Sequence, residues 1–146
     1  MGRILAIDYG RKRTGLAVTD ELRIIATPLD TVSSGKTIDF LKRYAASNTV
    51  DCFVVGESKD LRNNPSESAR FIEPFVKTLK REFPAIPVER IDERFTSVIA
   101  SRAIRESGLK KKERQDKGLV DQVSAVLILQ SYMEAIESRR SLKSKI

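Results

Sequence analysis

The apolar residues of this chain fall into short runs near its amino end and into helical stripes further along. Residues 3–9, 14–20 and 22–32 have the composition of strands, and the link GRKR between the first two is short enough for a hairpin. We therefore expect three antiparallel strands joined as a meander. Pro28 lacks an amide hydrogen, which places the third strand at an edge of the sheet.

The rest of the chain alternates helical and strand patterns. In order, it predicts a helix from GKTIDFLKRYAASN, a strand TVDCFVVG, a helix over 66–83, a strand IPVERIDE, and helices over about 96–108 and 119–137. Helical crossovers make the first, fourth and fifth strands parallel, with helices on both faces. The predicted fold class is α/β, with a five-stranded mixed sheet.

Composition limits the class of protein. A chain of 146 residues fits one domain, which we place at 1–138, followed by a basic tail at 139–146. No apolar run approaches the roughly 20 residues that span a bilayer, and no signal peptide is recognisable, so no membrane partner is expected. Cys52 is the only cysteine, which excludes a disulfide within the chain and favours the cytoplasm. Within DCFVVG it fits a small core residue better than a nucleophile.

Histidine is absent from the chain. Its absence excludes Ser-His-Asp and Cys-His sites and leaves carboxylates as the main candidate metal ligands. Because carboxylate oxygens are hard ligands, Mg²⁺ or Mn²⁺ is the expected cofactor if the site holds a metal.

Several carboxylates follow the predicted parallel strands or begin the last helix: Asp8, Glu57, Asp92, Glu93 and Asp121. Ligands of open α/β sheets bind beyond the carboxyl ends of these strands, so the carboxylates are expected to converge there. Like charges at close range need protons or cations, and a divalent metal supplies them. The structural alternatives are a turn aspartate at Asp8, a helix-dipole partner at Asp121, and an ion pair of Asp92 or Glu93 with Arg94.

The formal charge of +7 suggests a polyanionic partner such as nucleic acid or a ribosomal particle. The basic residues that flank the predicted cleft are Arg11, Lys12, Arg13, Lys110, Lys111, Lys112, Arg114 and Lys117. Few aromatic residues accompany them. We therefore expect contacts with the phosphate backbone and with the shape of the nucleic acid rather than with its sequence.

Four segments together resemble one family, YqgF or RuvX, whose members are Holliday-junction-resolvase-like nucleases assigned to maturation of the 5′ end of precursor small-subunit ribosomal RNA. The segments are ILAIDYGRKRTGLAVTD, VDCFVVGES, IDERFTS and VDQVSAVLILQSY, in that order. The resemblance covers nearly the whole chain. It implies an RNase H-like fold with strand order 3-2-1-4-5 and a site that binds two Mg²⁺ or Mn²⁺ ions.

Carried over from the family, the catalytic and metal-binding carboxylates are Asp8, Glu93 and Asp121, and Arg94 and Thr96 are expected to contact nucleic acid. The chain departs from the family pattern at GESKDLRNNPS, where relatives commonly have glycine, an apolar residue and proline. Glu57 stands at this point, where related resolvases place a catalytic glutamate. Glu93 is the preferred second ligand, with Glu57 and Asp92 as alternatives.

Four points stay open from the sequence. The substrate is an rRNA precursor or branched DNA, and the protein is a monomer or a homodimer. Asp8, Gly10 and Gly15 also match the first phosphate loop of actin-like ATPases and sugar kinases, although those enzymes close two such domains around a nucleotide. A noncatalytic RNA-binding assembly factor is the other alternative.

Overall fold

A computed structural model of the chain describes residues 2–57, 69–92 and 117–144. The described elements, in chain order, are β1 (Arg3–Tyr9), β2 (Arg13–Thr19), β3 (Ala26–Ser33), a 3₁₀ turn (Ser34–Lys36), α1 (Thr37–Ser47), β4 (Val50–Glu57), α2 (Ala69–Glu82), β5 (Val88–Asp92) and α3 (Lys117–Ser144). The predicted helix over 96–108 lies outside the described residues.

The five strands form one mixed sheet in the order β3-β2-β1-β4-β5. β2 pairs antiparallel with both β1 and β3, whereas β4 pairs parallel with β1 and with β5. This arrangement confirms the predicted α/β class, the amino-terminal meander and the strand order. Pro28 lies on the edge strand β3, as predicted, and a register shift interrupts the β2–β3 pairing beside it.

Helices cover both faces of the sheet. On one face, α1 and α2 pack against Leu5, Ile7 and other side chains of alternate strand positions. On the other face, Ala125, Ile128 and Leu129 of α3 pack against Ile4 and Ala6. β4 is covered on both sides, and its Phe53, Val54 and Val55 are fully buried. No helix in the described part of the chain is long and apolar enough to cross a membrane.

Two elements differ from their predicted bounds by four or more residues at one end, and the other described elements by fewer. The pattern predicts β3 over 22–32, but the strand begins at Ala26 because residues 20–25 form a turn. The last helix is predicted over 119–137 and runs from Lys117 to Ser144. Residues 137–144 contain no glycine or proline, so no helix-breaking residue ends the helix earlier. The division of the chain at residue 138 stays a prediction.

Candidate active site

Asp8 is the second-to-last residue of the central strand β1 and lies at the carboxyl edge of the sheet. Side chains alternate between the two faces of a strand, so Asp8 shares the face of Ile4 and Ala6, which α3 covers. The carboxylate is half-buried. A carboxyl group at this position can bind a cation where the strands end and the helical layer begins.

Glycine flanks Asp8 on both neighbouring strands. Gly15 of β2 is the register partner of Asp8. On the other side, Ile7 pairs with Val55 of β4, so the next step along these parallel strands brings Asp8 beside Gly56. Directly opposite side chains in a sheet lie about 5 Å apart, and glycine supplies none. The cross-strand positions on either side of the carboxylate therefore leave room for a ligand.

Tyr9 anchors the end of β1 on the opposite face of the sheet. Its ring stacks on Phe75 of α2, with ring centroids 4.1 Å apart and planes inclined by 12°. Aromatic pairs of this kind contribute about 0.5–1.5 kcal/mol beyond the area they bury. The stack fixes the backbone immediately after Asp8 and thereby limits the movement of the carboxylate.

The α3 helix brings the position of Asp121 towards the same edge. Its Met133 and Ile136 pack near Ile4, at the amino end of β1. With a rise of 1.5 Å per residue, residue 121 lies about 18 Å from residue 133 along the helix axis, and four strand steps from Ile4 to Asp8 cover about 13 Å. The backbone of Asp121 therefore lies about three helical turns from the part of α3 that packs near the amino end of β1.

The remaining predicted ligands lie at or beyond the limits of the described chain. Glu57 ends β4 and is the register partner of Asp92, the last residue of β5. Glu93 lies outside the described residues, as do Arg94 and Thr96. Among the side chains that the structure describes, no three potential ligands form a metal-binding group. The complete set of carboxylates therefore stays a prediction.

The predicted basic residues Arg11 and Lys12 form the exposed tip of the β1–β2 hairpin, and Arg13 begins β2. The Gly10 amide donates a hydrogen bond to the Arg13 carbonyl over 3.0 Å. A Cβ atom at position 10 would lie 2.5 Å from that same oxygen, so this turn requires glycine. Lys117 is the first residue of α3, and the other predicted basic positions, Lys110, Lys111, Lys112 and Arg114, lie outside the described residues.

Ser34 holds this hairpin from the end of β3. Its amide donates to the Lys12 carbonyl over 3.0 Å, and its hydroxyl donates to the Gly10 carbonyl over 2.5 Å. The hydroxyl of the buried Thr14 lies 3.0 Å from the Ser34 oxygen. Since the Ser34 proton is used on Gly10, Thr14 acts as the donor in this contact. Sequence reasoning missed Ser34, although the small polar run Ser33-Ser34-Gly35 after the third strand marked an irregular turn.

Cys52 behaves as the small core residue that the sequence indicates. It packs on the α3 side of the sheet, and its Sγ lies 3.9 Å from the Tyr132 hydroxyl. Burial raises the pKa of the Cys52 thiol above its usual value. A raised pKa lowers the thiolate fraction at neutral pH, which does not favour a nucleophilic role.

Known proteins share this sequence and fold. Residues 2–135 match the profile of RuvX, described as Holliday junction resolvase. The chain belongs to the RuvX family. RuvX relatives include a protein of Parabacteroides distasonis that is 58% identical over 135 residues, or 92% of this chain and 96% of the relative. One from Bacteroides thetaiotaomicron is 53% identical over 135 residues, or 92% and 98% of the two chains. Both carry the name "Putative pre-16S rRNA nuclease". The resemblance inferred from the four segments is thus confirmed.

Solved structures show the fold of this RuvX chain. Thermus thermophilus RuvC, in complex with a Holliday junction substrate, superposes with a TM-score of 0.56 at 19% identity over 91% of this chain and 96% of its own. The Fowlpox virus resolvase, in complex with Holliday junction DNA, superposes with a TM-score of 0.57 at 16% identity over 92% of this chain and 98% of its own. Resolvases of this type have an RNase H-like fold, and that fold prediction is confirmed.

Proposed function

We propose that this protein is a divalent-metal-dependent nuclease that acts on ribosomal RNA precursors in the cytoplasm, at the 5′ end of pre-16S rRNA. The observation that carries the proposal is Asp8, a half-buried carboxylate at the carboxyl edge of a resolvase-type sheet with glycine on both neighbouring strands. The names of the RuvX relatives support the choice of RNA.

The donor chemistry fits Mg²⁺ or Mn²⁺. Asp8, Glu93 and Asp121 would hold the metal, and all three offer the hard oxygen atoms that these ions prefer. Glycines at 15 and 56 leave space beside the Asp8 carboxylate. A bound divalent ion, or a pair of them, supplies a Lewis acid that lowers the pKa of an attacking water and neutralises charge on a phosphate.

The protein's own residues would position the nucleic acid. Arg11 and Lys12 lie on the hairpin that follows Asp8 and would bind phosphates on either side of the scissile bond. Arg94, Thr96 and the basic run ending at Lys117 would provide further backbone contacts. The Tyr9–Phe75 stack and the Ser34 hydrogen bonds keep the end of β1 and the hairpin in place while the phosphate binds.

Cleavage of branched DNA is the second candidate, because the RuvX family is described as Holliday junction resolvase. Junction cleavage requires two sites held in a symmetric dimer, whereas trimming of RNA requires one. The two substrates therefore predict different active species, a homodimer for junctions and a monomer for RNA.

Purified protein should be incubated with Mg²⁺ or Mn²⁺ and either a 5′-extended fragment of pre-16S rRNA or a four-way DNA junction, beside an Asp8→Asn control. We expect metal-dependent cleavage of the RNA that is absent from Asp8→Asn. Cleavage of the junction but not of the RNA would support the second candidate, cleavage of branched DNA. If neither nucleic acid is cut above the level of the Asp8→Asn control, the proposed nuclease is wrong and a noncatalytic RNA-binding role replaces it.

A further inference from the structure

The hairpin–turn surface comprises residues 10–13 of the hairpin and residues 33–36 at the end of β3. Residues 13 and 33, the nearest ends of these segments, are 20 positions apart in sequence, yet Ser34 joins the segments through its amide to Lys12 and its hydroxyl to Gly10. Two residues span at most about 7 Å of chain, so Lys36 lies close to the hairpin tip. Lys36 is exposed, like Arg11 and Lys12.

This surface has one sign of charge. Its charged residues are Arg11, Lys12, Arg13 and Lys36, with no acidic residue among the eight positions. The first acidic residue after Lys36 in the sequence is Asp39, in the first turn of α1. The surface also lies at the same edge of the sheet as Asp8, because β1 and β3 both end there.

We propose that Lys36 is an additional contact for the phosphate backbone of the substrate, and that Ser34 is the positioning residue that holds it beside the hairpin. The inference rests on the proposed function and extends it: the nucleic acid would run from Asp8 over the hairpin towards the start of α1, on the β3 side of the sheet. Lys36 was not among the basic residues that the sequence indicated, since it is far from every acidic motif in the chain.

The burial of the Ser34 network supports a positioning role. Ser34 is 8% exposed and Thr14 is fully buried. The Thr14–Ser34 contact is buried and the bond from Ser34 to the Gly10 carbonyl is partly buried, so a polar group that loses its partner here is only partly compensated by water. Loss of the Ser34 hydroxyl would therefore change the placement of the turn relative to Gly10, and Lys36 would move with the turn.

The test measures binding without cleavage. The Asp8→Asn protein is titrated against a fluorescent RNA hairpin with a single-stranded 5′ extension, by anisotropy over a series of salt concentrations. One lost phosphate contact on a single strand lowers the slope of log affinity against log salt by about 0.7, or roughly fivefold in affinity at 0.1 M salt. We expect this loss from Lys36→Gln. Lys80→Gln, on an exposed position near the end of α2 at the opposite edge of the sheet, should leave affinity and slope unchanged.

Equal effects of Lys36→Gln and Lys80→Gln would overturn the inference while leaving the proposed nuclease intact. Failure of the parent Asp8→Asn protein to bind the RNA would overturn both. A double-mutant cycle tests Ser34: in a Ser34→Ala background, Lys36→Gln should cause little further loss, because the lysine is already displaced. Additive losses would show that Ser34 does not position Lys36, and a melting curve of each variant separates this result from unfolding.

Discussion

Asp8 on β1 lies directly opposite Gly15 on β2. With Gly56 beside it on β4, the carboxylate occupies a row of the sheet in which the neighbouring positions carry no side chain. Such a row supports the fold little, since glycine contributes no packing within a strand. The arrangement leaves space for a ligand beside the Asp8 carboxylate.

Asp8→Asn should abolish stabilisation by metal. A ligand that binds only the folded state at 100 times its Kd adds about 2.7 kcal/mol, which raises the melting temperature of a domain of this size by roughly 10 °C. We expect Mn²⁺ to raise the melting temperature of the wild type in this way and to leave that of Asp8→Asn unchanged. The matched control is Asp30→Asn on the edge strand β3, which should respond to Mn²⁺ like the wild type.

The metal-free proteins test the structural alternative for Asp8. If other acids lie nearby, neutralising Asp8 removes repulsion, and the melting temperature should stay the same or rise. A fall of several degrees without metal would instead support a structural aspartate that bonds its own turn.

Cys52→Ala should retain full nuclease activity. The Cys52 thiol packs against the helix that carries Tyr132, and burial raises its pKa, so little thiolate forms at neutral pH. Removal of the sulfur should cost about 1 kcal/mol of unfolding free energy, measured in urea. Alkylation by iodoacetamide at pH 7.5 should be slower than that of a free thiol. Rapid alkylation that also stops cleavage would assign Cys52 to the active site.

Asp51→Asn should lower stability in a pH-dependent way. The Asp51 carboxylate accepts hydrogen bonds from the Gly2 amide over 2.9 Å and from Arg23 over 2.5 Å, and these contacts lower its pKa below the usual 3.8. Because the pKa is lower in the folded state, the stabilisation is present above pH 4 and is lost as the pH falls through the folded value. For this exposed pair we expect about 0.5–1 kcal/mol at pH 7.

Urea unfolding of wild type and Asp51→Asn at pH 7 and at pH 3 measures this difference. The gap between the two proteins should be smaller at pH 3, because the unfolded chain takes up a proton at Asp51 below the ordinary pKa of 3.8, while Arg23 stays charged at both pH values. An equal gap at both pH values would mean that the carboxylate charge contributes nothing and that the substitution acts through packing.

The strands could be predicted where local pattern decides the structure. Residues 3–9 and the run TVDCFVVG carry enough apolar side chains to specify buried strands, and both were located correctly. Residues 22–25 have a similar composition, but the Asp20 carboxylate accepts hydrogen bonds from the amides of Ile24 and Ile25. These bonds, together with the left-handed backbone of Arg23 at φ 58°, form a turn, and Ile24 remains 67% exposed.

The candidate site was predictable only in part. The position of Asp8 follows from the rule that ligands bind at the carboxyl ends of parallel strands, which requires only the element order. The contact of Ser34 with Gly10 and Lys12 depends on where β3 returns relative to the hairpin, and a one-residue change of register would remove it. Spacing in the sequence carries no signal of such a contact.

Family resemblance and local geometry point to different residues as the second carboxylate ligand. Glu57 ends β4, the strand beside β1, and pairs with Asp92 in register, whereas Glu93 belongs to the DER segment that follows β5. We expect Glu93→Gln to lower the cleavage rate at saturating Mn²⁺ by orders of magnitude, because a charged ligand is lost where charge develops in the transition state. Glu57→Gln serves as the matched control and should cost much less. Parallel Mn²⁺ titrations of both variants decide between them: a larger loss of rate in Glu57→Gln would transfer the metal ligand to β4 and leave Glu93 as an ion-pair partner of Arg94.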